Sequence, residues 1–433
     1  MITLLKKSYR ILRQEGLNKF MIKVFHFLTD QIVLIIADLY PKKNQLVIFG
    51  ARHGVEYKDN TRHVYEYILE NYQNISPIWM THNDDVYHRL RSEGLPVAKI
   101  DSIRGYYLLL RANIAVNTHG PRDVSPIGEI PDSTTTIRLG HGRPVKYDDK
   151  FKLQNNLVDR MRKNRDRIDY VITTSEFMYE SIPHVVEWPR DMYRVTGQPR
   201  NDSLFKPPKK AINDWNRFCD EFDFEIDNTI LYAPTVRKPK YTDQTTTTEI
   251  FPFEDFNPDQ LIDFLESHNG ILLIRLHPWD MDQILGGSEH HTTIHEYDLL
   301  SEFIEDLSQH ERICIADENT FADTNHLLPF VDILITDYSS IYHDFLLLDR
   351  PILFIPYDYE TFKQDFGLIY DYFGNLPGSS INNFEEFIYE LTTAIQNPQA
   401  YKDNRRELRD KVHTHQDAKS SKRVSELIAN LAE

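Results

Sequence analysis

The stretch "VDILITDYSSIYHDFLLLDRPILFIPYD", residues 331–358, contains a polar tetrad between two apolar patterns. A mostly apolar run at 331–335 precedes the tetrad DYSS at 337–340, and an apolar-periodic segment follows it. This order predicts a buried strand that ends near the tetrad and a helix that begins there. Backbone N–H groups at a helix start favour an anion, and the two serine hydroxyls add donors. The tetrad therefore predicts either a simple helix cap or part of an anion-binding site.

The same alternation of apolar runs with helical segments extends outward in both directions. The runs predicted as strands are "NQLVIFG", "SPIWMT", "PVAKI", "NIAVNTHG", "TTTIRLGHGRPVK", "YVITTSEF", "YRVTGQPRND", "TILYAPTVR", "GILLIRLHP", "ERICIAD", "DILITD" and "PILFIPYD". Among the helical segments, "DNTRHVYEYILENY" is predicted to begin with Asp59 as its N-cap. Strands that alternate with helices predict parallel sheets with helices on both faces. The expected fold class is therefore α/β, with two doubly wound, Rossmann-like halves.

Composition shifts along the chain predict four regions. The Pro- and Lys-rich "FKPPKKAINDW", residues 205–215, predicts a linker, after which the strand pattern restarts. The expected boundaries are an amphipathic helical segment at 1–40, an N-terminal Rossmann-like domain at 41–208, a C-terminal one at 209–395, and a helical segment at 396–433. This last segment is expected to pack back on the N-terminal half.

The N-terminal segment has a different charge from the rest of the chain. Residues 1–30 contain six Lys and Arg and two acidic residues, a net +4, whereas the whole chain of 433 residues carries −17. Apolar residues recur there at helical spacing, which is typical of a helix on a membrane surface. The expected location is cytoplasmic, peripheral on the inner face of the cell membrane. A helical hairpin packed on the body of the protein is the alternative.

Charge, cysteine content and motifs exclude several classes of function. The acidic balance argues against a nucleic-acid partner, because a polyanion needs a basic footprint. Two cysteines, Cys219 and Cys314, fit a reducing compartment and give neither a disulfide framework nor a thiolate metal site. No P-loop, dinucleotide-binding glycine motif or strand-end D-x-D cluster is present. We therefore expect no cofactor and no metal, with Arg, His and helix termini facing any phosphate.

Five polar clusters follow predicted strands, at the edge where doubly wound sheets bind ligands. They are HGRP (141–144), GQPRND (197–202), PTVR (234–237), RLHP (275–278) and DYSS (337–340). One such cluster alone is explained as a cap or a buried histidine. Five clusters that share histidines, arginines and hydroxyls predict a single site for a phosphorylated ligand.

At these clusters the sequence resembles the CDP-glycerol:poly(glycerol phosphate) glycerophosphotransferases of teichoic acid and capsule synthesis. The resemblance is carried by "ARHGVEYKDNTRHVYEYI", "GHGRPVK", "TGQPRND", "YAPTVR", "RLHP", "DTNHLLPFVDILITDYSSIYHDF" and "DRPILFIPYDYETF". It implies a GT-B fold, with the acceptor in the N-terminal half and the donor in the C-terminal half. The chain departs from the family pattern at Gly140 and Val236, where the family has Trp, at Arg143, where it has Thr, and at His343.

The resemblance and the cluster positions together assign expected roles. The catalytic candidates are His141, as the base that accepts the proton of the attacking hydroxyl, His277 and Asp337, although Asp337 is also a candidate brace of the strand-end turn. The donor-binding candidates are Arg200, Pro234, Thr235, Arg275, Leu276, Ser339, Ser340 and Asp344. Gly142, Arg143 and Pro144 are expected to form an acceptor or phosphate loop.

The expected reaction moves glycerol phosphate from CDP-glycerol to a hydroxyl of a lipid-linked or oligosaccharide acceptor and releases CMP. Four alternatives stay open at this point. They are a CDP-ribitol-dependent transferase, a nucleotide-sugar glycosyltransferase of GT-B fold, a related nucleotide-sugar epimerase, and a membrane-associated binding protein without activity. The sequence does not distinguish a primase or linking enzyme from a processive polymerase.

Overall fold

The computed structural model describes residues 30–142, 168–181, 189–237, 248–284 and 295–433. Within these ranges the chain forms two entirely parallel sheets, which confirms the predicted fold class. The N-terminal sheet has the strand order β3-β2-β1-β4-β5-β6-β7. Its strands are β1 Lys43–Phe49, β2 Ser76–Thr81, β3 Val97–Lys99, β4 Ala112–Asn117, β5 Thr135–Arg138, β6 Tyr170–Thr173 and β7 Tyr193–Val195.

The C-terminal sheet has six parallel strands in the order β10-β9-β8-β11-β12-β13. They are β8 Asn228–Tyr232, β9 Gly270–Ile274, β10 Ile313–Ile315, β11 Ile333–Thr336, β12 Ile352–Phe354 and β13 Ser379–Ser380. Strand β8 pairs with β11 on one side and with β9 on the other. Its residue Leu231 lies beside Leu334 of β11 and beside Leu273 of β9. This sheet therefore has β8 and β11 at its centre.

Helices cover both faces of each sheet. The first, α1, spans the described residues 30–39. The others are α2 Asp59–Asn71, α3 Asp84–Ser92, α4 Ile103–Arg111, α5 Glu176–Glu180, α6 Asp202–Phe205, α7 Lys209–Cys219, α8 Pro258–Ser267, α9 Pro278–Ile284, α10 His295–Leu307, α11 Thr324–Leu327, α12 Ile341–Phe345, α13 Tyr359–Phe366, α14 Phe384–Gln396, α15 Lys402–Val412 and α16 Ser420–Ala432. No helix in the described ranges is both long and apolar enough to span a membrane.

Each sheet separates two hydrophobic cores, because successive side chains of a strand point to opposite faces. On β1, Val47 and Phe49 pack on one face, whereas Leu46 and Ile48 pack on the other. Both faces are buried, so the central strands read as continuous apolar runs in the sequence.

The predicted linker at 205–215 is wrong for most of its length, since α7 begins at Lys209. Pro208 directly precedes the helix with extended backbone, a place where proline is tolerated because the first helical N–H groups need no intrahelical partner. Ala211 and Phe218 are buried on one side of α7, and Phe218 belongs to a core of the C-terminal half. The proline pair therefore marks a helix start.

Asp59 is not the N-cap of α2, contrary to the prediction. Lys58 precedes the helix with extended backbone, and Asp59 is its first residue, with a positive φ of 70°. Its buried carboxylate lies 3.8 Å from Arg52 Nε and 3.7 Å from Arg200 Nη1. Asp59 therefore faces the strand ends.

The C-terminal helices divide between the two halves. Leu408 and Val412 of α15 join a core of the C-terminal half, whereas Val424 and Ile428 of α16 join the N-terminal core around β1. Asp202 fixes the start of α16, because its carboxylate accepts hydrogen bonds from the N–H groups of Ser420 and Ser421, at 2.8 Å each.

Candidate active site

Arg200 connects the carboxyl ends of the two sheets. It follows β7, and its Nη2 donates to Asp344 Oδ2 of the C-terminal half at 2.6 Å. Its Nη1 donates to the carbonyl oxygen of His141 at 2.7 Å. Asn201 Nδ2 donates to the other Asp344 oxygen at 2.8 Å. Three predicted site residues, His141, Arg200 and Asp344, are thus within one hydrogen-bonded group.

The charge of Arg200 is largely balanced within the protein. Asp344 pairs with it directly, and the buried Asp59 lies 3.7 Å from its Nη1. Its Nε atom is buried and has no hydrogen-bond partner among the described residues. Arg200 therefore has one N–H donor left for a ligand. Because its charge is paired with Asp344 and lies near Asp59, it also connects the two halves of the protein.

Gly142 lies where this bridge meets the DYSS tetrad. Its φ is +143°, and a Cβ added to it would lie 3.2 Å from Arg200 Nη2 and 3.4 Å from Ser340 Oγ. A side chain at this position would crowd both groups, so the close approach requires glycine. The predicted loop residues Arg143 and Pro144 lie outside the described residues.

Three histidines gather at the ends of neighbouring strands of the N-terminal sheet. His53 follows β1, His119 follows β4 and His141 follows β5, and these strands are adjacent in the sheet. The His119 and His141 rings stack with centroids 4.3 Å apart and 8° between their planes. The centroid of His53 is 5.3 Å from that of His119. Of these three histidines, only His141 was predicted from the sequence to belong to the site.

The carboxylate of Asp123 holds the His53 and His119 backbone in place. It accepts hydrogen bonds from the N–H groups of His53 at 2.7 Å, Thr118 at 2.8 Å and His119 at 2.8 Å. The Thr118 hydroxyl lies 2.8 Å from His119 Nδ1. Arg138 donates to the His119 carbonyl. This arrangement fixes the ring that stacks on His141.

The surroundings of His141 keep its imidazole in the neutral form. Although His141 as a whole residue is exposed, displacement of water by the surrounding protein is the largest cause that lowers its pKa to about 3. The neighbouring His119, Arg52 and Arg200 lower the pKa further because each disfavours a second positive charge. His141 is therefore unprotonated at neutral pH, the form that can accept a proton.

Asp337 braces the strand ends of the C-terminal sheet. Its buried Oδ1 accepts hydrogen bonds from the Thr235 N–H at 2.8 Å and the Thr235 hydroxyl at 2.6 Å. Its Oδ2 accepts from Arg237 Nη1 at 2.7 Å. Asp337 therefore belongs to an internal network that joins the ends of β8 and β11. Pro234 and Thr235 are buried beside Asp337.

Arg237 is the cation of that network, and no role was predicted for it from the sequence. Its Nε and Nη2 both donate to Asp358, at 2.8 Å each, and its guanidinium lies over the rings of Tyr338 and Tyr357, 5.4 and 5.0 Å from their centroids. Its side chain is only 2% exposed. Arg237 therefore stabilises the strand ends from inside the protein.

The remaining donor-side candidates follow β9 and β11. Arg275 Nε donates to Thr324 Oγ1 at 2.9 Å, and its Nη1 donates to the Ala316 carbonyl at 2.8 Å. Leu276 is buried in the core, whereas His277 is exposed. The His277 Nδ1 accepts a hydrogen bond from the Trp279 N–H at 3.1 Å, which assigns the proton of the neutral ring to Nε2.

Ser339 and Ser340 are half-buried at the start of α12. The N–H of Ile341 lies 3.5 Å from Ser339 Oγ, a weak cap, and Ser340 makes no side-chain cap. The capping explanation of the tetrad therefore accounts for little of these two hydroxyls. Ser340 instead lies beside Gly142, at the meeting point of the two halves.

One group of side chains in the described part of the chain has the geometry of a possible metal site. It consists of His63, Asp323 and His326, none of which was predicted from the sequence to belong to a site. Their ligand atoms lie within 4.8 Å of one another.

Comparison with known proteins adds the family to this geometry. A profile of the family described as CDP-Glycerol:Poly(glycerophosphate) glycerophosphotransferase matches residues 32–430. The chain belongs to this family. The match includes all of the site residues described above, and it confirms the family that the sequence predicted.

Individual relatives agree with this family. The chain is 26% identical over 406 residues to the "Teichoic acid glycerol-phosphate transferase" of Staphylococcus aureus, covering 90% of this chain and 93% of that one. It is 28% identical over 338 residues to the "Teichoic acid glycerol-phosphate primase" of Bacillus subtilis, covering 77% of each. The solved wall teichoic acid polymerase TagF has a similar fold, with a TM-score of 0.70 at 21% identity over 96% of this chain and 98% of that one.

Proposed function

We propose that this family member transfers glycerol phosphate from CDP-glycerol to a hydroxyl of a lipid-linked or oligosaccharide acceptor in teichoic acid or capsule synthesis. The observation that carries the proposal is the family match over residues 32–430, which spans both halves and all of the site residues. The acceptor oxygen attacks the β-phosphorus, a new P–O bond forms, and the bond to the departing CMP breaks. The proton of the acceptor hydroxyl must go to a base.

His141 is the proposed base. It is neutral before the donor binds, and its backbone is held by Arg200 through the carbonyl oxygen. A positioned base of this kind contributes about 10²–10⁴-fold to a transfer reaction. The two negative charges of a bound diphosphate would raise the pKa of His141 toward neutrality, since opposite charge favours the protonated ring. Donor binding would therefore strengthen this base.

The proposed donor site lies at the strand ends of the C-terminal half. His277 presents its Nε2 proton, and Ser339 and Ser340 present hydroxyls, so all three can donate to phosphate oxygens. Arg275 supplies positive charge. Asp344 keeps its proposed contact with the glycerol moiety, because each of its carboxylate oxygens can accept a bond besides the one from Arg200 or Asn201.

The roles of the internal network are proposed as positioning. Asp337 holds Thr235 and Arg237, and through them the turn after β8 that includes Pro234. Because its oxygens are buried and bonded within the protein, we assign Asp337 to holding the donor site in shape and not to contact with the substrate.

The decisive experiment measures which nucleotide is released. Purified protein is incubated with an oligosaccharide or lipid-linked acceptor and with CDP-glycerol, CDP-ribitol or a UDP-sugar in separate reactions. We expect CMP from CDP-glycerol, and an acceptor heavier by one or more glycerol phosphate units by mass spectrometry. CMP from CDP-ribitol alone would favour the ribitol alternative, and release of UMP or UDP would favour a nucleotide-sugar enzyme. Release of no nucleotide would indicate a binding protein.

The lowered pKa of His141 predicts a pH profile. An ordinary histidine base, with a pKa near 6.5, loses activity as pH falls through that value. With a pKa of about 3 in the free protein, His141 stays unprotonated, so kcat/KM should change little between about pH 5.5 and 8. Steady-state rates at low CDP-glycerol concentration measure this. An acid limb centred near pH 6.5 would contradict the proposed environment of His141.

Contact with an anionic membrane is proposed for the N-terminal segment. Residues 1–29 lie outside the described residues, but α1 exposes Ile32, Ile35, Ile36 and Leu39 to solvent. Leu34 and Ala37 on its other side are buried. This apolar face follows the positively charged residues 1–30, and the two features together favour a membrane surface at the cytoplasmic side.

Charged substitutions on that face should weaken membrane contact. Ile35→Asp together with Leu39→Asp removes two side chains that are 60% and 82% exposed. Each apolar side chain is worth about 1.5–3 kcal/mol when fully buried, so we expect binding to anionic vesicles to fall by at least about tenfold. Vesicle sedimentation measures it. Tyr389→Asp, at a 67% exposed position on α14, is the matched control, and equal losses for both proteins would contradict the proposal.

A further inference from the structure

His63, Asp323 and His326 meet where the two halves of the protein touch. His63 lies on α2 of the N-terminal half, whereas Asp323 and His326 lie at the N-cap and within α11 of the C-terminal half. One ligand atom from each residue lies within 4.8 Å of the others. Residues about 260 positions apart thus form one cluster, which no predicted role in the transfer reaction uses.

One ring nitrogen of each histidine in this cluster lacks the hydrogen bond that a buried polar atom normally makes. The Nε2 atoms of both His63 and His326 are buried and have no hydrogen-bond partner among the described residues. Their rings are 6.0 Å apart at 88°. Buried nitrogen atoms without a partner are rare in folded proteins and cost stability, so two of them beside one carboxylate call for an explanation.

Within the part of the chain that the structure describes, the groups around the cluster do not supply that partner. Arg62 is the nearest cation on α2, and its Nε donates to Glu66 at 2.9 Å on the same helix. Asp323 Oδ1 accepts a hydrogen bond from the Asn325 N–H at 3.0 Å, as an N-cap does, and a carboxylate in this role still has lone pairs for a cation.

We propose that His63, Asp323 and His326 bind a divalent transition-metal ion, of which zinc fits best, and that this ion ties the two halves together. Two imidazoles and one carboxylate are a ligand set that zinc accepts, with water in the fourth position. Bonds of 2.0–2.1 Å in a tetrahedron place ligand atoms roughly 3.3 Å apart. The ligand atoms lie within 4.8 Å of one another, so metal binding would need side-chain rotations that bring them closer.

The ion would stabilise the contact between the two halves and would not bind the diphosphate. Arg275, a donor-site candidate, donates to the hydroxyl of Thr324, the residue next to Asp323. A metal held by Asp323 and His326 would therefore fix the segment that positions Arg275, and His63 would fix that segment to α2. The inference concerns binding and stability, so it can be tested independently of the transfer activity.

The test uses the full-length protein after treatment with EDTA and dialysis. Calorimetric titration with zinc chloride should show one tight site per chain, and added zinc should raise the melting temperature by an amount that grows with its concentration. Cobalt(II) should give the visible absorption of a tetrahedral site. His326→Gln and Asp323→Asn preserve side-chain size, and each should weaken zinc binding by more than the roughly 10–100-fold typical of outer-shell partners.

The control is a second His–Asp pair, His82 and Asp101, which are in hydrogen-bond contact in the N-terminal half. His82→Ala should leave the tight site and the zinc-dependent melting shift unchanged. Circular dichroism of the metal-free variants establishes that they are folded. Absence of a tight site in the unsubstituted protein, or a site that survives both His326→Gln and Asp323→Asn, would overturn the proposal and leave the cluster as a metal-free contact.

Discussion

Replacing His141 with alanine is expected to lower turnover by about 10²–10⁴-fold while leaving the affinity for CDP-glycerol nearly unchanged. The reason is positional. His141 follows a strand of the N-terminal half, stacks on His119, and contacts Arg200 through its backbone carbonyl, which the substitution keeps. The lost imidazole would remove the proton acceptor for the attacking hydroxyl and little of the donor site. Single-turnover rates and calorimetric Kd values measure the two effects separately.

His277→Ala provides the contrast. Its Nε2 proton is proposed to reach a phosphate oxygen, and a hydrogen bond to a charged group is worth about 1.5–3 kcal/mol. Donor affinity should therefore fall by about 10- to 150-fold, together with turnover. His88→Ala, at an exposed position on α3, should change neither quantity. If His141→Ala lost donor affinity and kept its rate, the loop at 140–142 would belong to the donor site and another residue would be the base.

Asp337→Ala is expected to destabilise the protein by about 3–5 kcal/mol. The substitution leaves the buried Arg237 without one of its two carboxylates and leaves the Thr235 N–H without its acceptor. Breaking a buried ion pair from one side costs this much, because the remaining charge stays away from water. Urea denaturation followed by circular dichroism measures it.

Asp332→Ala is the matched control for Asp337, since the two residues flank opposite ends of β11. Asp332 accepts one hydrogen bond, from the Thr229 N–H at 2.9 Å, and we expect a loss of about 1 kcal/mol. Asp337→Asn separates positioning from catalysis. A protein with unchanged stability and donor affinity but no turnover would show that the Asp337 carboxylate takes part in the reaction itself.

Much of the fold could be predicted because of one property of parallel sheets. Their strands are buried on both faces, so β1 and β9 appear in the sequence as apolar runs that end in polar clusters. β13, with two serines, has no such pattern, and it exists because it pairs with β12 at the sheet edge. Helix α7 was not predicted, because the two prolines that precede it suggested a linker.

The candidate site could be predicted only in part, because the order of strands in a sheet cannot be deduced from their order along the chain. His53, His119 and His141 each follow a strand and precede a glycine, a shared pattern that could have linked them. Their proximity depends on β1, β4 and β5 being neighbours. His141 was identified because its cluster matched a family motif, whereas His119, which stacks on it, was not.

The sequence also does not distinguish a charged residue that binds a ligand from one that pairs with another side chain. Arg237 and Arg275 both follow strands in similar polar clusters. Arg237 is paired with Asp337 and Asp358, 100 and 121 residues away, and only the fold reveals these partners. The distant pairing of His63 with Asp323 and His326 was missed for the same reason.

The return of α16 to the N-terminal half has a consequence for biosynthesis. Val424 and Ile428 complete the core around β1, and Ser420 and Ser421 bind Asp202 in the turn after β7. During translation the N-terminal sheet emerges first, yet α16, one of its covering helices, is made only after all six strands of the C-terminal sheet. The domain that is synthesised first must therefore keep part of its apolar surface uncovered until the C-terminal sheet has been made.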